Sequence, residues 1–398
     1  MPAYVAGVMT GTSMDAIDVA LLEIAEITTL GHVTEQVTQK GFLSRPLDPA
    51  LISAMADLQH QGDDELHRAQ LISNVLADAI SRTVLELMSS LNLKSSTIAA
   101  VGVHGQTVRH QPDLGYTIQL NSAARIAEAT GIAVVSDFRS RDIAAGGQGA
   151  PLVPLFHQAI FGAAADSLGT SATPEDQCGI TAVVNIGGIA NVSWLGDPLV
   201  GFDTGPGNTL MDHWISQHLQ HAFDEDGAWA SSGAVNPALL SAFLSDPFFA
   251  KPAPKSTGRD LFNARWLNQF LQRPEFSALS PADIQATLLE LTAQSIAITL
   301  GRLHQSAAPN ARCKEVLICG GGAQNQRLMR RLEAAIATQI DPAVTVASTQ
   351  TRGWHPQWIE AAAFAWLAAR TLRGLPGNAP SVTGALGPRV LGSITLGH

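Results

Sequence analysis

Asp203 occupies the setting in this sequence that best suits proton transfer. It follows an apolar stretch, 200–202, that predicts a strand, and it precedes a Gly-Pro-Gly run, 205–207, that would aim its carboxylate into a cleft. When a nucleophile attacks at or beside a phosphoryl group, such a carboxylate can accept the released proton. The ordinary alternative is an aspartate that caps the helix predicted from Thr209. The Gly-Pro-Gly run places Asp203 rather far upstream for a cap.

Three glycine turns offer places where backbone N–H groups could approach phosphate oxygens. The first, 10–13, adds hydroxyl side chains; the second, 185–188, adds an amide side chain; the third, 320–322, is three consecutive glycines. Each alone also fits an ordinary tight turn. All three follow predicted strands, where α/β folds place ligands. No Gly-Lys dipeptide occurs, so the Walker A pattern is absent.

Further carboxylates stand beside these turns. Asp15 and Asp18 could hold a hydrated Mg²⁺, which prefers one or two carboxylates together with phosphate oxygens. Glu360 begins the last predicted helix among small apolar neighbours, so it could face a cleft. The helix dipole also stabilises an acidic residue in the first turn of any helix, and from the sequence alone we prefer that explanation for Glu360.

Polar residues at two strand ends are candidates for substrate binding. Arg139 and Arg141 could bind a sugar carboxylate or phosphate through a bidentate fork, or they could form surface salt bridges. His104 could donate to a substrate or be a satisfied histidine at a strand end. The histidines at 213, 218 and 221 lack the spacing of a zinc helix, so we do not expect a metal there.

The elements that must position these residues follow a repeated order. A strand, a glycine turn and a second strand open the chain and recur from residue 181, which predicts two related α/β halves. The predicted strands are 4–9, 17–24, 98–103, 116–120, 132–135, 181–186, 192–195, 200–202 and 316–319. Long helices are predicted over 64–91, 282–304 and 359–372, the first with Leu66, Leu71, Val75 and Ile80 among its apolar positions.

These elements divide into two predicted domains. We expect an N-terminal domain over 1–160 and a C-terminal domain over 181–372. The small and polar stretch 161–180 is expected to be a junction or insertion. The Gly- and Pro-rich tail 373–398 is expected to be irregular and could return to the N-terminal domain.

The composition excludes several classes of protein. The chain has 398 residues and a formal net charge of −10, with no concentrated run of Lys or Arg. Nucleic acid and anionic membranes are therefore not expected as partners, because both need a basic surface. No signal peptide or membrane span is visible, and three unpaired cysteines suit a reducing compartment. We expect a cytoplasmic protein, and a homodimer is one possibility for its assembly.

Five motifs together resemble those of the anhydro-N-acetylmuramic acid kinase family. They are Gly7–Asp15, His104–Thr107, Asn185–Asn191, Phe202–Asn208 and Cys319–Asn325, in the family's order, and the resemblance runs from about residue 5 to about residue 370. It implies an α/β fold of two actin-like (ribonuclease H-like) domains, each around a five-stranded sheet, with a nucleotide cleft between them. It also implies an enzyme that uses ATP and Mg²⁺ to open an anhydro-sugar with water and phosphorylate the freed 6-oxygen, in cell-wall recycling.

The same resemblance implies roles for particular residues. Asp203 would be the general base that activates water, and Glu360 would lie near the same water. The ATP phosphates would contact Gly11, Thr12, Ser13, Met14, Asp15, Ala16, Ile17, Asp18, Asn185, Gly187 and Gly188, with Asp15 meeting Mg²⁺ through them. The adenosine pocket would include Gly320, Gly321, Gly322 and Asn325. The sugar would contact His104, Gln106, Thr107, Arg139, Gly205 and Asn208.

One departure and three alternatives accompany this interpretation. Ala16 stands where family members carry glycine, and alanine lacks the freedom of glycine at positive φ. Phosphate-binding turns are shared across the superfamily, so another sugar or small acid could be the substrate. A non-catalytic actin-like ATPase would need no base such as Asp203. A glycoside hydrolase using Asp203 and Glu360 would leave the three turns unexplained.

Overall fold

The computed structural model describes residues 3–11, 14–29, 32–162, 179–258 and 260–398. The chain forms two compact units. Unit 1 combines the chain up to Ile160 with the segment Trp358–His398, and unit 2 is the segment Phe161–Gln357. None of the helices in these described ranges is long and apolar enough to cross a membrane.

Unit 1 is built on a mixed sheet in which three strands form an antiparallel meander. The meander is β1 (Ala3–Thr10), β2 (Ala16–Thr29) and β3 (His32–Pro46). The strands β4 (Ile98–Val103) and β7 (Val134–Ser136) continue the sheet parallel to β1. A separate hairpin, β5 (Gln106–Gln111) and β6 (Tyr116–Leu120), follows β4. The strand β3 was not predicted from the sequence, because polar residues recur along it and no clear apolar face is visible.

Helices cover both faces of this sheet. They are α1 (Pro49–Asp57), α2 (Glu65–Ser90), α3 (Ala123–Thr130), α4 (Ser140–Ala144), α5 (Val153–Phe161), α13 (Ile359–Leu372) and α14 (Pro380–Thr383). The extent of α2 confirms the predicted helix, but its buried face runs through Ile72, Leu76 and Ile80. Three of its predicted apolar positions, Leu66, Leu71 and Val75, are exposed.

The last long helix packs on the sheet of unit 1 rather than on that of the second half. A side chain at Gly7 would lie 2.0 Å from the Ala361 carbonyl oxygen, and one at Gly102 would lie 2.1 Å from the Phe364 carbonyl oxygen. Both glycines are therefore required by the close approach of α13 to β1 and β4. The sequence-based boundary at 372 differs from the observed division, because helix periodicity does not tell which sheet a helix covers.

The C-terminal tail also belongs to unit 1 and is partly regular. Strand β13 (Ser393–Thr395) pairs antiparallel with β7 and adds a sixth strand to the sheet. The fully buried Asp142 carboxylate accepts hydrogen bonds from the Asn378 side chain (2.6 Å) and the Thr383 hydroxyl (2.8 Å). These contacts fasten the tail to α4, which contains Asp142.

Unit 2 has a five-stranded sheet with the same plan. Its meander is β8 (Ile180–Ile186), β9 (Ile189–Trp194) and β10 (Val200–Pro206), and β11 (Cys313–Cys319) and β12 (Thr345–Ser348) run parallel to β8. The sheet orders are β3-β2-β1-β4-β7 in unit 1, before the added β13, and β10-β9-β8-β11-β12 in unit 2. This shared order confirms the predicted pair of related α/β units with a ribonuclease H-like sheet.

The helices of unit 2 bury a core rich in aromatic rings. They are α6 (Thr209–Leu219), α7 (Ala228–Ser232), α8 (Pro237–Leu244), α9 (Pro247–Ala250), α10 (Ala264–Leu271), α11 (Pro281–Ser306) and α12 (Gln326–Gln339). Phe243, Phe248, Phe262 and Trp266 pack within this core through tilted and edge-to-face contacts, and Phe202 of β10 belongs to the same core. The central helix α11 begins one residue before its predicted start.

Candidate active site

Asp203 lies in β10 at a β-bulge, not at a helix cap. It pairs with Asn191, while Gly205 pairs with Ala190, so Thr204 is the extra residue. The buried Thr204 donates its hydroxyl to the Ala190 carbonyl oxygen at 3.1 Å. A bulge changes the direction in which a strand points its next side chain. The capping alternative is therefore wrong: Asp203 is a strand residue, six positions before α6 begins.

The segment 255–257 holds Asp203 from both the backbone and the side chain. The Asp203 amide donates to the Lys255 carbonyl oxygen at 3.1 Å, and the Thr257 amide donates to Asp203 Oδ2 at 2.8 Å. Burial raises the pKa of the Asp203 carboxyl to about 6, while the Thr257 amide and the Lys255 charge oppose that rise. The carboxylate is thus fixed in place and can accept a proton near neutral pH.

Three turns of unit 2, at 185–188, 205–208 and 320–322, meet at one end of its sheet. The Asn208 amide donates to the Gly187 carbonyl oxygen at 2.8 Å, and the Gly207 amide donates to the Gly188 carbonyl oxygen at 2.9 Å. The Asn185 side chain lies against the third turn, since a side chain at Gly320 would be 2.5 Å from Asn185 Oδ1. The structure therefore brings together the unit 2 motifs that were singled out from the sequence.

The glycines of these turns fall into two groups. A side chain at Gly207 would lie 2.2 Å from the Gly187 carbonyl oxygen, and one at Gly322 would lie 2.4 Å from Ile186 Cγ2. Gly320 has φ 79° and is equally enclosed. Gly187 and Gly321 differ, because the nearest atoms to a side chain there would be 3.8 and 3.7 Å away, at ordinary contact distance. The fold does not require glycine at these two positions, and they leave room for a ligand beside the backbone.

Two predicted ligand positions also have structural duties. Gly205 has φ 150°, and a side chain there would lie 2.8 Å from the Phe249 ring. Asn325 caps α12, with its side-chain oxygen accepting from the Leu328 amide at 2.9 Å. Both observations account for the residue types without a ligand, so their binding roles stay predictions.

The first glycine turn is only partly described. Thr12 and Ser13 lie outside the described residues, whereas Met14 takes a positive φ of 56° and its amide donates to the Gly11 carbonyl oxygen at 3.0 Å. Ala16 and Ile17 are the first residues of β2, and Ala16 pairs with Pro46. The backbone at Ala16 is therefore extended, and alanine suits it. The need for a positive φ falls on Met14 instead.

Arg139 and His104 form a fixed pair in unit 1. The Arg139 Nε and Nη2 atoms donate to His104 Nε2 at 3.1 and 2.8 Å, and Nη1 donates to the Gly149 carbonyl oxygen at 2.8 Å. Burial and the Arg139 charge lower the pKa of the His104 imidazole well below its usual value. The ring is therefore neutral, and because Nε2 accepts, its proton lies on Nδ1. The surface salt-bridge alternative is wrong for Arg139.

Glu360 and Asp18 are two half-buried carboxyl groups in the same unit. Burial raises the pKa of Glu360 to about 7, the Asp18 charge acts in the same direction, and the Arg139 guanidinium opposes both. Burial also raises the pKa of Asp18 to about 6, against a hydrogen bond from Ser44. Glu360 is in the first turn of α13, as an ordinary helix acid would be, but its electrostatic setting resembles that of a functional carboxyl group.

A polar cavity of about 320 Å³ lies beside His104. Its lining includes Gln119, Asn121, Ser136 and Asp137. Among the described residues, His104 Nδ1 and Asn121 Oδ1 are buried atoms without a hydrogen-bond partner. A neutral donor and a neutral acceptor at one cavity suit a polar, uncharged group of a ligand.

The other two predicted substrate residues of this motif begin the β5–β6 hairpin. Gln106 is buried, and its Oε1 atom has no hydrogen-bond partner within the described ranges. Thr107 is half-buried, and its hydroxyl accepts from the Gln119 side chain at 3.2 Å. The hairpin thus links this motif to the lining of the cavity.

Several site residues were missed by sequence reasoning. Lys255 and Thr257 flank Asp203 from more than fifty positions away, and Asp142 supports Gly149, whose amide donates to its Oδ2 at 2.7 Å. The Lys-Ser-Thr-Gly run at 255–258 is a composition often found near phosphates and was the one available signal. Asp142 gave none, because a buried carboxylate is recognised only from its partners.

Asp15 and Asp18 are the carboxylates that the sequence suggested for Mg²⁺. In the described parts of the chain, no group of three or more His, Cys, Asp or Glu side chains could hold an ion. The exposed Asp15 and the half-buried Asp18 are compatible with a Mg²⁺ ion that arrives with phosphate.

Comparisons with known proteins show what this chain resembles. A sequence model of the family "Anhydro-N-acetylmuramic acid kinase" matches residues 3–397. Curated relatives of that name include one from Cupriavidus pinatubonensis, 47% identical over 98% of this chain and 97% of its own, and one from Pseudomonas paraeruginosa, 47% identical over 99% of both. A solved ROK family glucokinase from Streptomyces griseus aligns over 92% of this chain and 100% of its own, with 12% identity and a TM-score of 0.40.

The family match covers nearly the whole chain, and the curated relatives are matched over nearly their whole length. It confirms the enzyme class predicted from the motifs, a kinase that phosphorylates a sugar hydroxyl. The chain belongs to the anhydro-N-acetylmuramic acid kinase family.

Proposed function

We propose that this protein uses ATP to open 1,6-anhydro-N-acetylmuramic acid with water and to phosphorylate the freed 6-oxygen, giving N-acetylmuramic acid 6-phosphate in cell-wall recycling. Water adds to the anomeric carbon, the bond from that carbon to the 6-oxygen breaks, and the 6-oxygen takes the phosphoryl group. The observation that carries the proposal is the half-buried Asp203 carboxylate, whose Oδ2 is held by the Thr257 amide.

Asp203 accepts the proton of the attacking water in this proposal. Its raised pKa makes it a stronger base than an exposed aspartate, yet it is still largely ionised above pH 6. The Thr257 amide engages one carboxylate oxygen and fixes the direction of the other. A rate that falls below about pH 6 follows from this assignment.

Nucleotide binding is assigned to backbone turns with open glycines. ATP would supply the phosphoryl group, and Mg²⁺ would neutralise charge on its phosphates. Gly187 and Gly321 would hold the nucleotide in unit 2, because their backbones have free space beside them. In unit 1 the turn from Gly11 to Asp18 would contact phosphates, with Asp15 as the candidate carboxylate toward Mg²⁺.

Sugar binding in unit 1 is assigned to the polar cavity beside His104. The Nδ1–H group of the neutral imidazole can donate to a sugar or acyl oxygen, and Asn121 Oδ1 can accept from an N–H or O–H group. Arg139 holds the imidazole in this tautomer. Glu360, with a pKa of about 7, can exchange protons at the pH of the reaction.

One assay tests the proposal directly. The protein is incubated with ATP, Mg²⁺ and 1,6-anhydro-N-acetylmuramic acid, and ADP and the ring-opened 6-phosphate are followed together. We expect both products in equal amounts. Turnover only with another hexosamine, such as N-acetylglucosamine, would favour a different sugar kinase of the same fold.

The Asp203→Asn variant tests the assigned base. The amide cannot accept the proton, so we expect turnover to fall by about a thousandfold or more, while ATP affinity changes little. ATP affinity is measured by calorimetry in the same preparation. Near-normal turnover in this variant would show that another group is the base.

The setting of the reaction is part of the proposal. We place it in the cytoplasm, where ATP is available. Assembly as a homodimer stays a prediction that light scattering would test.

A further inference from the structure

The segment 251–258 contacts β10 at the proposed base through Lys255 and Thr257. The Asp203 amide donates to the Lys255 carbonyl oxygen at 3.1 Å, and the Thr257 amide donates to Asp203 Oδ2 at 2.8 Å. Two successive contacts of this kind fix the backbone of Lys255 beside Asp203. The position of the lysine relative to the carboxylate is therefore set by the fold.

The Lys255 ammonium group is held away from the carboxylate oxygens. Its Nζ atom donates to the Phe248 carbonyl oxygen at 3.2 Å and lies 4.4 Å from the centre of the Phe248 ring. Phe248 is buried within the aromatic core of unit 2, so this anchor is rigid. Within the described ranges no ion pair joins Lys255 to Asp203 within 4.0 Å. The charge is near the base without occupying the lone pairs that must accept a proton.

The electrostatic surroundings of Lys255 contain three other charged groups. Asp203 comes from β10, Arg302 from α11, and Lys251 from the same segment. Burial lowers the pKa of Lys255 to about 8, with the charges of Arg302 and Lys251 acting in the same direction and Asp203 opposing them. The lysine is consequently still protonated at neutral pH. Its charge is among the influences that restrain the rise in the pKa of Asp203.

We propose that Lys255 is a positioning residue that keeps the Asp203 carboxyl group ionised in its buried setting without itself contacting the sugar. Burial makes the carboxylate basic, and a fixed cation that donates elsewhere prevents it from being protonated at neutral pH. The proposal rests on the proposed role of Asp203 as the base. It assigns to Lys255 an electrostatic duty, not a share in bond making.

The pH dependence of turnover tests this inference. We would measure kcat/KM for sugar from pH 5.5 to 8.5 in wild type, Lys255→Met and Lys255→Arg, with Lys251→Met as the matched control. Methionine keeps the length and much of the apolar contact of the lysine while removing its charge. Lys251 is an exposed lysine of the same segment. It serves as the control because the proposal assigns it no role toward Asp203.

The expected result is a loss confined to the acidic side of the profile. For Lys255→Met we expect kcat/KM to fall about fivefold at pH 6 and less than about twofold at pH 8, because only the ionised fraction of Asp203 changes. Lys255→Arg should restore most of the activity at pH 6, and Lys251→Met should follow wild type. Thermal unfolding of each variant is recorded alongside.

Two outcomes would overturn the inference. An equal loss at all pH values, with a lowered unfolding temperature, would mean that Lys255 only packs against Phe248. An unchanged profile in Lys255→Met would mean that its charge does not reach the base. The Asp203→Asn variant distinguishes failure of this inference from failure of the proposed function. If that variant is inactive while the Lys255→Met profile is unchanged, this inference fails and the proposed function stands.

Discussion

At the scale of single residues, Asp203 and Glu360 acquire raised pKa values by the same cause in different elements, as Asp18 does in β2. Asp203 lies half-buried at a strand bulge and Glu360 half-buried in the first turn of a helix, and loss of solvent is the main influence on both pKa values. The counter-charges differ: a lysine restrains Asp203, whereas an arginine restrains Glu360. This pattern is typical of functional carboxyl groups.

The raised pKa of Glu360 predicts a contribution to the pH dependence of stability. Between its ordinary value of 4.5 and about 7, the folded protein binds more protons at this site than the unfolded chain. Stability therefore falls as the pH rises through that window. From pH 5 to pH 8 we expect wild type to lose on the order of 1–3 kcal/mol more than the Glu360→Gln variant.

Urea denaturation at several pH values measures this difference. Glu128→Gln, which removes an exposed glutamate from α3, is the control and should follow wild type. Parallel stability curves for wild type and Glu360→Gln would show that Glu360 behaves as an ordinary exposed acid.

The limits of sequence reasoning at this scale follow from what a pattern contains. Asp203 could be found because a strand and a rigid loop enclose it in the sequence itself. The pairing of Lys255 with Asp203 could not, because it depends on a loop that returns over fifty positions later. The tautomer of His104 likewise depends on Arg139, a contact made only by the fold.

At the scale of elements, the glycine turns combine two requirements that look alike in the sequence. Gly207 and Gly322 are needed by packing, whereas Gly187 and Gly321 leave open space. The sequence alone could not tell which glycines are needed for packing and which lie beside open space. Strands with apolar runs were predictable, whereas the polar strands β3 and β5 were not. The buried side of α2 was not predictable either, because both of its faces carry apolar residues.

This division predicts opposite results for glycine-to-alanine variants. Gly187→Ala and Gly321→Ala should leave stability unchanged or raise it by about 0.5 kcal/mol, because the added methyl group meets only ordinary contacts. Their ATP affinity should fall about tenfold or more, as the methyl group would occupy the ligand's space. Gly207→Ala should instead lose about 1–3 kcal/mol or more of stability through overpacking.

Thermal unfolding and calorimetric titration with ATP distinguish these variants. Normal ATP affinity in both Gly187→Ala and Gly321→Ala would show that the open space serves another purpose. A stable Gly207→Ala would mean that the two turns can separate without cost.

At the scale of the whole molecule, the two units share a sheet order but differ in how the chain builds them. Unit 2 is one continuous segment with its own sheet and core, whereas unit 1 needs two segments far apart in sequence. The second segment supplies α13, nearly all of whose residues are buried, and β13, which extends the sheet. The sequence pattern predicted the duplicated order, but could not assign the last helix to a unit.

Separate fragments should therefore behave differently. We expect the fragment 179–357 to fold alone and to unfold cooperatively in urea, because its five strands and its aromatic core are complete within it. The fragment 3–160 should fail to fold, since α13 is absent and its sheet keeps one face uncovered at Gly7 and Gly102. Circular dichroism and urea titration measure the folding of both fragments.

The matched control joins 3–160 to 358–398 through a flexible Gly/Ser linker, and it should regain a cooperative transition. Cooperative unfolding of 3–160 alone would mean that unit 1 folds without α13 and the tail. Failure of the joined fragment to fold would mean that unit 1 requires unit 2 to fold.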